Sequence, residues 1–147
     1  MEFKKIFLFA AILILMPCLC FSSDFTDNGD GTITDNKTGL MWMKETADNK
    51  MNWKDALSYC ENLDYAGYSD WRLPNIKELG SIVDYSAYNP AIDTNFFPDT
   101  MSSYYWSSTT YSYGAVDAWR VYFDYGSGHG PGNKSNTYYV RAVRGGQ

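Results

Sequence analysis

Cysteine and histidine are scarce in this 147-residue sequence, and their scarcity excludes several kinds of protein. Two of the three cysteines, Cys18 and Cys20, fall in an apolar N-terminal stretch, which leaves Cys60 alone in the rest of the chain. One thiol cannot form an intrachain disulfide, and with His129 as the single histidine it cannot build a Cys/His zinc site. We therefore expect packing to supply the stability of the domain.

Positive charge is also in short supply. The sequence has 12 Lys and Arg against 17 Asp and Glu, a formal net charge of −5, and its isoelectric point is about 4.7. Nucleic acids, heparin-like polymers and anionic membranes bind basic surfaces, so an acidic domain is a poor partner for them. Neutral glycans, cations and proteins remain as partner classes.

The N-terminal residues have the pattern of a secretory signal. Lys4 and Lys5 precede an apolar run over residues 6–15, and Cys20 and Ser22 then supply small residues at the third and first positions before the expected cleavage. The run has signal-peptide length and is too short for a membrane span. We expect residues 1–22 to be a cleaved signal peptide and the protein to be exported, to the periplasm, the cell surface or the medium.

Two points about the mature chain follow from this interpretation. Lipidation at Cys18 is the alternative to cleavage after Ser22, but the proline before that cysteine disfavours it. Residues 24–147 have the length of one domain with its own core. We therefore expect a single domain with no membrane span.

The order of predicted elements indicates an α+β fold. Turn-rich residues 27–31 and 35–39 flank a predicted hairpin of strands 32–34 and 40–43. A helix is predicted from Asn52, because an apolar stripe follows at helical spacing; the stripe consists of Trp53, Ala56, Leu57, Cys60 and Leu63. A second helix is predicted over 75–84, where Asn75 and Glu78 have capping-box spacing.

The C-terminal half is predicted to form a second group of strands. After an ordered loop over 85–100, strands are predicted at 104–108, 118–124 and 138–144, the second from alternation of apolar and polar residues. Residues 125–136 are rich in glycine, which indicates a long, mobile and irregular loop. Hairpin, helices and strands in this order indicate an α+β class.

Candidate ligand-binding residues fall in or near the predicted turns of this C-terminal half. Tyrosine rings stack on sugars or pack on protein epitopes, and carboxylate and amide groups accept and donate hydrogen bonds beside them. Half of the tyrosines are expected in the core, so those in turns are the better candidates. The candidates are Tyr111, Tyr113, Asp117, Asp124, Tyr125, Asn133 and Asn136.

Two further groups of charged residues have alternative interpretations. Asp27, Asp30 and Asp35 surround glycine turns and are candidate calcium ligands, but they lack the spacing of a calcium loop, and turn chemistry explains them equally well. Arginine beside the second helix and near the C-terminus could bind a ligand or pair with a carboxylate, and we favour pairing. These arginines are Arg72, Arg141 and Arg144.

Six strings in series resemble one family of exported bacterial domains. They are DNGDGT at 27–32, TGLMW at 38–42, DWRLP at 70–74, EL at 78–79, YWSS at 105–108 and VRAVRGG at 140–146. This series is similar to the C-terminal domain of the Legionella collagen-like adhesin and covers nearly the whole mature chain. The resemblance implies a C-type-lectin-like α+β fold, with two helices packed on small antiparallel sheets and long loops that present ligand sites.

The resemblance also limits the expected function. The family implies sulfated-polysaccharide binding by a basic surface, from which this acidic chain departs, and the calcium-dependent sugar motifs of C-type lectins are missing after Trp106. Related formylglycine-generating oxidases need a cysteine pair, and no nucleophile, base and orienting group occur together here. We expect a non-enzymatic adhesion-type module that recognises a glycan or protein through its C-terminal loops. The alternative is a structural subunit that pairs with itself or another envelope protein.

Overall fold

The computed structural model describes residues 24–125 and 128–146, so the predicted signal peptide lies outside the described residues. The described part forms two small antiparallel sheets, in the strand orders β1-β2-β3-β7 and β4-β5-β6, with two helices. The elements are β1 (Phe25–Asp27), β2 (Thr32–Asp35), β3 (Met41–Met43), α1 (Trp53–Glu61), α2 (Ile76–Ser81), β4 (Tyr104–Thr110), β5 (Asp117–Tyr122), β6 (Gly128–Asn133) and β7 (Val143–Arg144).

This arrangement confirms the predicted α+β class and does not conflict with the C-type-lectin-like fold that the resemblance implies. Neither helix of the described part is long and apolar enough to cross a membrane. The hairpin prediction is confirmed by β2 and β3, while β1, which pairs with β2, was not predicted.

Both helices begin at the predicted caps. The Asn52 side chain accepts a hydrogen bond from the Asp55 N–H at the start of α1. At α2, Asn75 accepts from the N–H of Glu78, and the Glu78 carboxylate accepts from the Asn75 N–H, which completes a capping box. The second helix ends at Ser81, earlier than predicted.

The three-stranded sheet separates two apolar clusters. Tyr105 on β4 and Val121 on β5 are buried in one cluster with Leu79 of α2. Trp106 and Ala118, the alternate positions of the same strands, are buried in the other cluster. Because side chains alternate across a strand, the sheet has α2 on one face and the α1 cluster on the other.

The prediction of an irregular loop over 125–136 is wrong, because β6 occupies Gly128–Asn133 and pairs with the whole of β5. Its glycines alternate with larger residues, so they all lie on one face of the strand. A Cβ at Gly128 or Gly132 would come within 2.9 Å of the β5 side chains of Tyr122 or Arg120. Glycine density in this segment therefore makes room for neighbouring side chains.

Residues 138–144, predicted as one strand, form instead a C-terminal segment that is hydrogen-bonded to both sheets. On one side, three backbone N–H groups donate to its carbonyls at 2.9–3.0 Å; they belong to Met43, Ala47 and Met51. On the other side, the Trp106 N–H donates to the Tyr139 carbonyl at 3.0 Å. Only its last residues form a strand, β7, which pairs with β3.

Arg141 lies in the middle of this segment and is only 1% exposed. Burial lowers the pKa of its guanidinium, but arginine stays charged at neutral pH, so its donors need buried acceptors. The acceptors come from two segments. The end of β3 and the loop after it supply the carbonyls of Met43 and Lys44 and the Thr46 hydroxyl. A second loop supplies the Asp99 carboxylate and the Thr100 hydroxyl. One side chain thus ties the C-terminal segment to both loops.

We predict that Arg141→Met lowers the free energy of unfolding by about 3–5 kcal/mol, because it leaves buried acceptors without donors. Lys37→Met is the matched control, since Lys37 pairs with Asp24 on the exposed surface. That change should cost less than about 1 kcal/mol. Urea unfolding followed by tryptophan fluorescence measures both, and equal small effects would contradict the assigned role of Arg141.

Candidate functional site

The candidate ligand residues lie at two opposite ends of the three-stranded sheet. Tyr111 and Tyr113 follow β4, while Asp117 begins β5 and pairs in register with Asn133 at the end of β6. We call these four residues the Tyr113 rim. Asp124 and Tyr125 lie beyond the far end of β5, on the order of 20 Å away at the rise of an extended strand.

The Tyr113 rim presents an aromatic surface beside polar groups. Tyr113 is 90% exposed, and its ring centroid lies 5.7 Å from that of Tyr111. The Tyr111 ring packs edge-on against Trp119, with the centroids 5.2 Å apart. The Asp117 carboxylate is partly exposed and accepts no hydrogen bond from the described residues. An exposed ring and a free acceptor thus lie on the same short turn.

A network of hydrogen bonds fixes the backbone of this rim. The Tyr111 N–H donates to the Asp117 carbonyl and the Asp117 N–H donates to the Gly114 carbonyl, both at 2.9 Å. The Lys134 ammonium donates to the Thr110 hydroxyl and the Ala115 carbonyl, also at 2.9 Å. A ligand that binds there therefore meets a turn that is already ordered.

Lys134 is a residue that the sequence interpretation missed. Its ammonium lies 4.0 Å from the centroid of the Trp53 ring, and its carbonyl accepts from the Trp53 N–H at 3.1 Å. Trp53, the first residue of α1, therefore holds Lys134, which in turn binds the backbone of the rim. No local sequence signal indicates this contact, because it joins residues 81 positions apart in the chain, from 53 to 134.

The other candidate residues are separate from the rim. The Tyr122 hydroxyl donates to the Asp124 carboxylate at 3.2 Å, and the Asp124 carbonyl accepts from the Asn89 N–H. Tyr125 is exposed beside them. Asn136 donates to the Tyr138 hydroxyl at 3.2 Å. The seven residues therefore form separate groups at different parts of the sheet.

The three candidate calcium ligands are each used by a local turn. Asp27 accepts from the Gly29 N–H and from the Lys44 ammonium, and the Lys44 hydrogen bond, followed by that from Gly29, lowers the pKa of Asp27. Asp30 accepts from the Thr32 N–H, and Asp35 from the N–H groups of residues 37 and 38. Among residues 24–125 and 128–146, no group of three acidic, histidine or cysteine residues could hold a metal ion.

Arg72 and Arg144 pair with carboxylates, as the sequence interpretation favoured. Arg72 binds both oxygens of Glu78, at 2.7 and 2.8 Å, and the Gly145 carbonyl at 2.8 Å. Burial of Glu78 would raise its pKa, but the hydrogen bonds from Arg72 and from the Asn75 N–H outweigh burial and lower it. Arg144 binds both oxygens of Asp70, at 2.6 and 3.1 Å.

The remaining arginine, Arg120, has different surroundings that the sequence did not reveal. Its guanidinium carbon lies 3.6 Å from the ring centroid of Tyr104 and 4.7 Å from that of Tyr138. Tyr104 in turn stacks on Tyr122 at 4.4 Å. These four residues form what we call the Arg120 face, which lies beside the glycines of β6.

The cysteine, the histidine and several aspartates of the described residues differ in their exposure. Cys60 is fully buried, and burial raises the pKa of its thiol to about 12, so it is inert as a nucleophile. His129 borders an open cleft of about 370 Å³ beside Gly80 and Tyr85. A larger cleft of about 490 Å³ is lined by aspartates, of which Asp24 pairs with Lys37 and Asp84 binds Ser86.

Comparison with known proteins gives one family. The family model for the Lcl C-terminal domain matches residues 31–144, which include both helices, the Tyr113 rim and the Arg120 face. A search of curated proteins finds no match. The match agrees with the family that the six sequence strings resemble.

We predict effects of different size at two glycines of β6, Gly132 and Gly130. A Cβ at Gly132 would lie 2.9 Å from the Arg120 side chain and 3.1 Å from the Tyr138 ring, whereas a Cβ at Gly130 would meet nothing within 4 Å. Gly132→Ala should therefore lower the free energy of unfolding by about 1–3 kcal/mol. Gly130→Ala should change it by less than about 0.5 kcal/mol. Thermal unfolding measures the pair, and equal losses would contradict the packing described for β6.

Proposed function

The chain belongs to the Lcl C-terminal domain family, a domain family of an adhesin, and on that premise we propose that it is an exported, non-catalytic module that binds a glycan through the Tyr113 rim. The single observation that carries the proposal is the 90% exposed Tyr113 ring on an ordered turn beside the free Asp117 carboxylate. The ring supplies a flat apolar face, and the carboxylate accepts hydrogen bonds from sugar hydroxyls.

The charge of the domain favours a neutral glycan. The net charge of −5 disfavours binding to polyanions, which needs a basic footprint. The rim itself carries Asp117, and the nearby Lys134 ammonium is already bound to the Thr110 hydroxyl and the Ala115 carbonyl. A sugar with hydroxyl groups and an apolar ring face matches these groups better than a sulfated chain does.

The order of the rim supports recognition without a large entropic cost. Its backbone turn is closed by hydrogen bonds between Tyr111, Gly114 and Asp117, and Lys134 holds the turn from the side of β6. Binding to an ordered turn avoids the free energy needed to fix a flexible loop. We therefore place the ligand at this end of the sheet, and not across the whole C-terminal region.

A second function, assembly with another copy or with an envelope protein, is favoured by a different observation. Exposed apolar side chains occur on the segments around the far end of the sheet; they are Tyr85, Tyr88, Met101 and Tyr125. Exposed aromatic and methionine residues are enriched at protein interfaces. On this account the domain would pair through that end while the Tyr113 rim stays free.

We propose further that the domain has no catalytic activity and acts in the periplasm, at the cell surface or in the medium. Cys60 is buried with a raised pKa, and the carboxylates of the larger cleft are engaged in ion pairs and turns. Catalysis needs a nucleophile or base within reach of a substrate. The adhesin family supports an exported location.

The proposal predicts that Tyr113→Ala weakens binding to a glycan identified on a neutral-glycan array by about tenfold or more, since a stacked ring contributes on the order of 1.4 kcal/mol. Tyr125→Ala is the matched control, because Tyr125 is exposed at the other end of the sheet, and it should leave the affinity unchanged. Titration calorimetry measures both.

Two outcomes would overturn the assignment. Unchanged affinity in Tyr113→Ala, or a loss in Tyr125→Ala alone, would remove the ligand from the rim. A protein that binds no glycan but forms a concentration-dependent dimer in light scattering would favour assembly. The titration is repeated with a calcium chelator, and we expect the same affinity because no three acidic, histidine or cysteine side chains of the described residues are grouped so that they could hold a metal ion.

A further inference from the structure

Arg120 differs from the other three arginines of the chain in its lack of an acceptor. Arg72, Arg141 and Arg144 each bind a carboxylate. Within the described residues, no carboxylate, carbonyl or hydroxyl accepts from Arg120, and its Nε is buried without a partner. A guanidinium has five N–H donors and a high demand for acceptors, so such an unpaired cation inside an acidic domain needs an explanation.

Stacking accounts for the position of the guanidinium and leaves its donors unused. Tyr104 and Tyr138 flank its carbon at 3.6 and 4.7 Å, which holds the plane in a fixed orientation. Aromatic faces contact the plane of the group and do not accept its in-plane N–H bonds. The side chain is partly exposed, and Nε alone of its nitrogens is both buried and unpaired. The two terminal nitrogens have no partner among the described residues and are not fully buried.

The strand beside Arg120 contacts its side chain at one glycine and is open at another. Gly130 is the residue directly across from Arg120 in the β5–β6 register. A Cβ at Gly130 would meet no atom within 4 Å, so the position is open, whereas Gly132 is in close contact with the Arg120 side chain. Tyr138, whose ring flanks the guanidinium, also carries a polar group: its hydroxyl accepts a hydrogen bond from the Asn136 amide.

We propose that Arg120 is a binding site for a carboxylate group, which its two terminal nitrogens hold end-on beside the rings of Tyr104 and Tyr138. The planar fork of a guanidinium matches the two oxygens of a carboxylate, and the tyrosine rings fix the fork before the ligand arrives. The carboxylate can be carried by a sugar acid or by a simple organic acid. This site lies on the face of β5 opposite to Asp117, so it goes beyond the proposed function of the rim.

The test is an NMR titration of the protein that follows the Arg120 Nε–H signal and the backbone amide of Gly132, the glycine in contact with the Arg120 side chain. The probes are sodium glucuronate, sodium acetate, glucose and sodium sulfate, at constant ionic strength. We expect glucuronate or acetate to shift both signals in a saturable way, glucose to leave them in place, and sulfate to shift them less than the carboxylates do, because the planar carboxylate matches the planar fork. A stronger response to glucuronate identifies a sugar acid as the source, and an equal response to acetate identifies a simple carboxylate.

Variants separate this site from a general charge effect. Arg120→Gln should weaken carboxylate binding by about tenfold or more. Arg120→Lys, which keeps the charge and loses the fork, should also weaken it and serves if the first variant does not fold. Lys54→Gln is the charge-matched control on the exposed side of α1, and Tyr113→Ala tests independence from the rim. Both should bind glucuronate or acetate like the unmodified protein.

Several results would overturn the proposal. Shifts of equal size with sulfate would mean general anion attraction, and no shift with either carboxylate would mean that Arg120 only packs against the tyrosines. Unchanged binding in both Arg120 variants would place the carboxylate elsewhere. Tyr113→Ala should lose neutral-glycan binding and keep carboxylate binding, which supports both sites. Loss of carboxylate binding in Tyr113→Ala would place the carboxylate at the rim and overturn the Arg120 site.

Discussion

The structure depends on one buried positive charge, the guanidinium of Arg141. A charge that is removed from water must find acceptors within the protein, and each acceptor must come from a defined place in the chain. Arg141 takes its acceptors from residues 43–46 and from Asp99 and Thr100, two loops more than 50 residues apart. The need to satisfy this charge therefore decides which parts of the chain meet.

The same constraint explains why the surfaces at the ends of the sheet are available for binding. The C-terminal segment that Arg141 anchors lies between β3 and β4, and it completes the cluster that covers one face of the three-stranded sheet. Helix α2 and its cluster cover the other face. With most of both faces covered, the Tyr113 rim, the far end near Tyr125 and the partly exposed Arg120 face remain for partners.

Local chemistry made much of the fold predictable from the sequence. The Asn75–Glu78 capping box and the Asn52 cap depend on residues three positions apart, and the hairpin on its glycine turns, so each could be inferred from a short stretch. Strand β6 could not, because its glycines Gly128 and Gly132 fit against Tyr122 and Arg120 of β5, which lie six and twelve residues earlier. The candidate site was predicted only in part for the same reason. Register separates Asp124 and Tyr125 from the rim, and the contact of Lys134 with Trp53 is long-range.

The most direct test of this account is native-state hydrogen exchange at three backbone amides. Met43 and Ala47 donate to the C-terminal segment from one side, and Trp106 donates to it from the other. If the Arg141-anchored segment joins both sheets into one cooperative unit, all three amides exchange only through global unfolding, with the same free energy of opening. Exchange of Met43 and Ala47 at least tenfold faster than that of Trp106 would mean that the sheets open separately, and it would contradict the account.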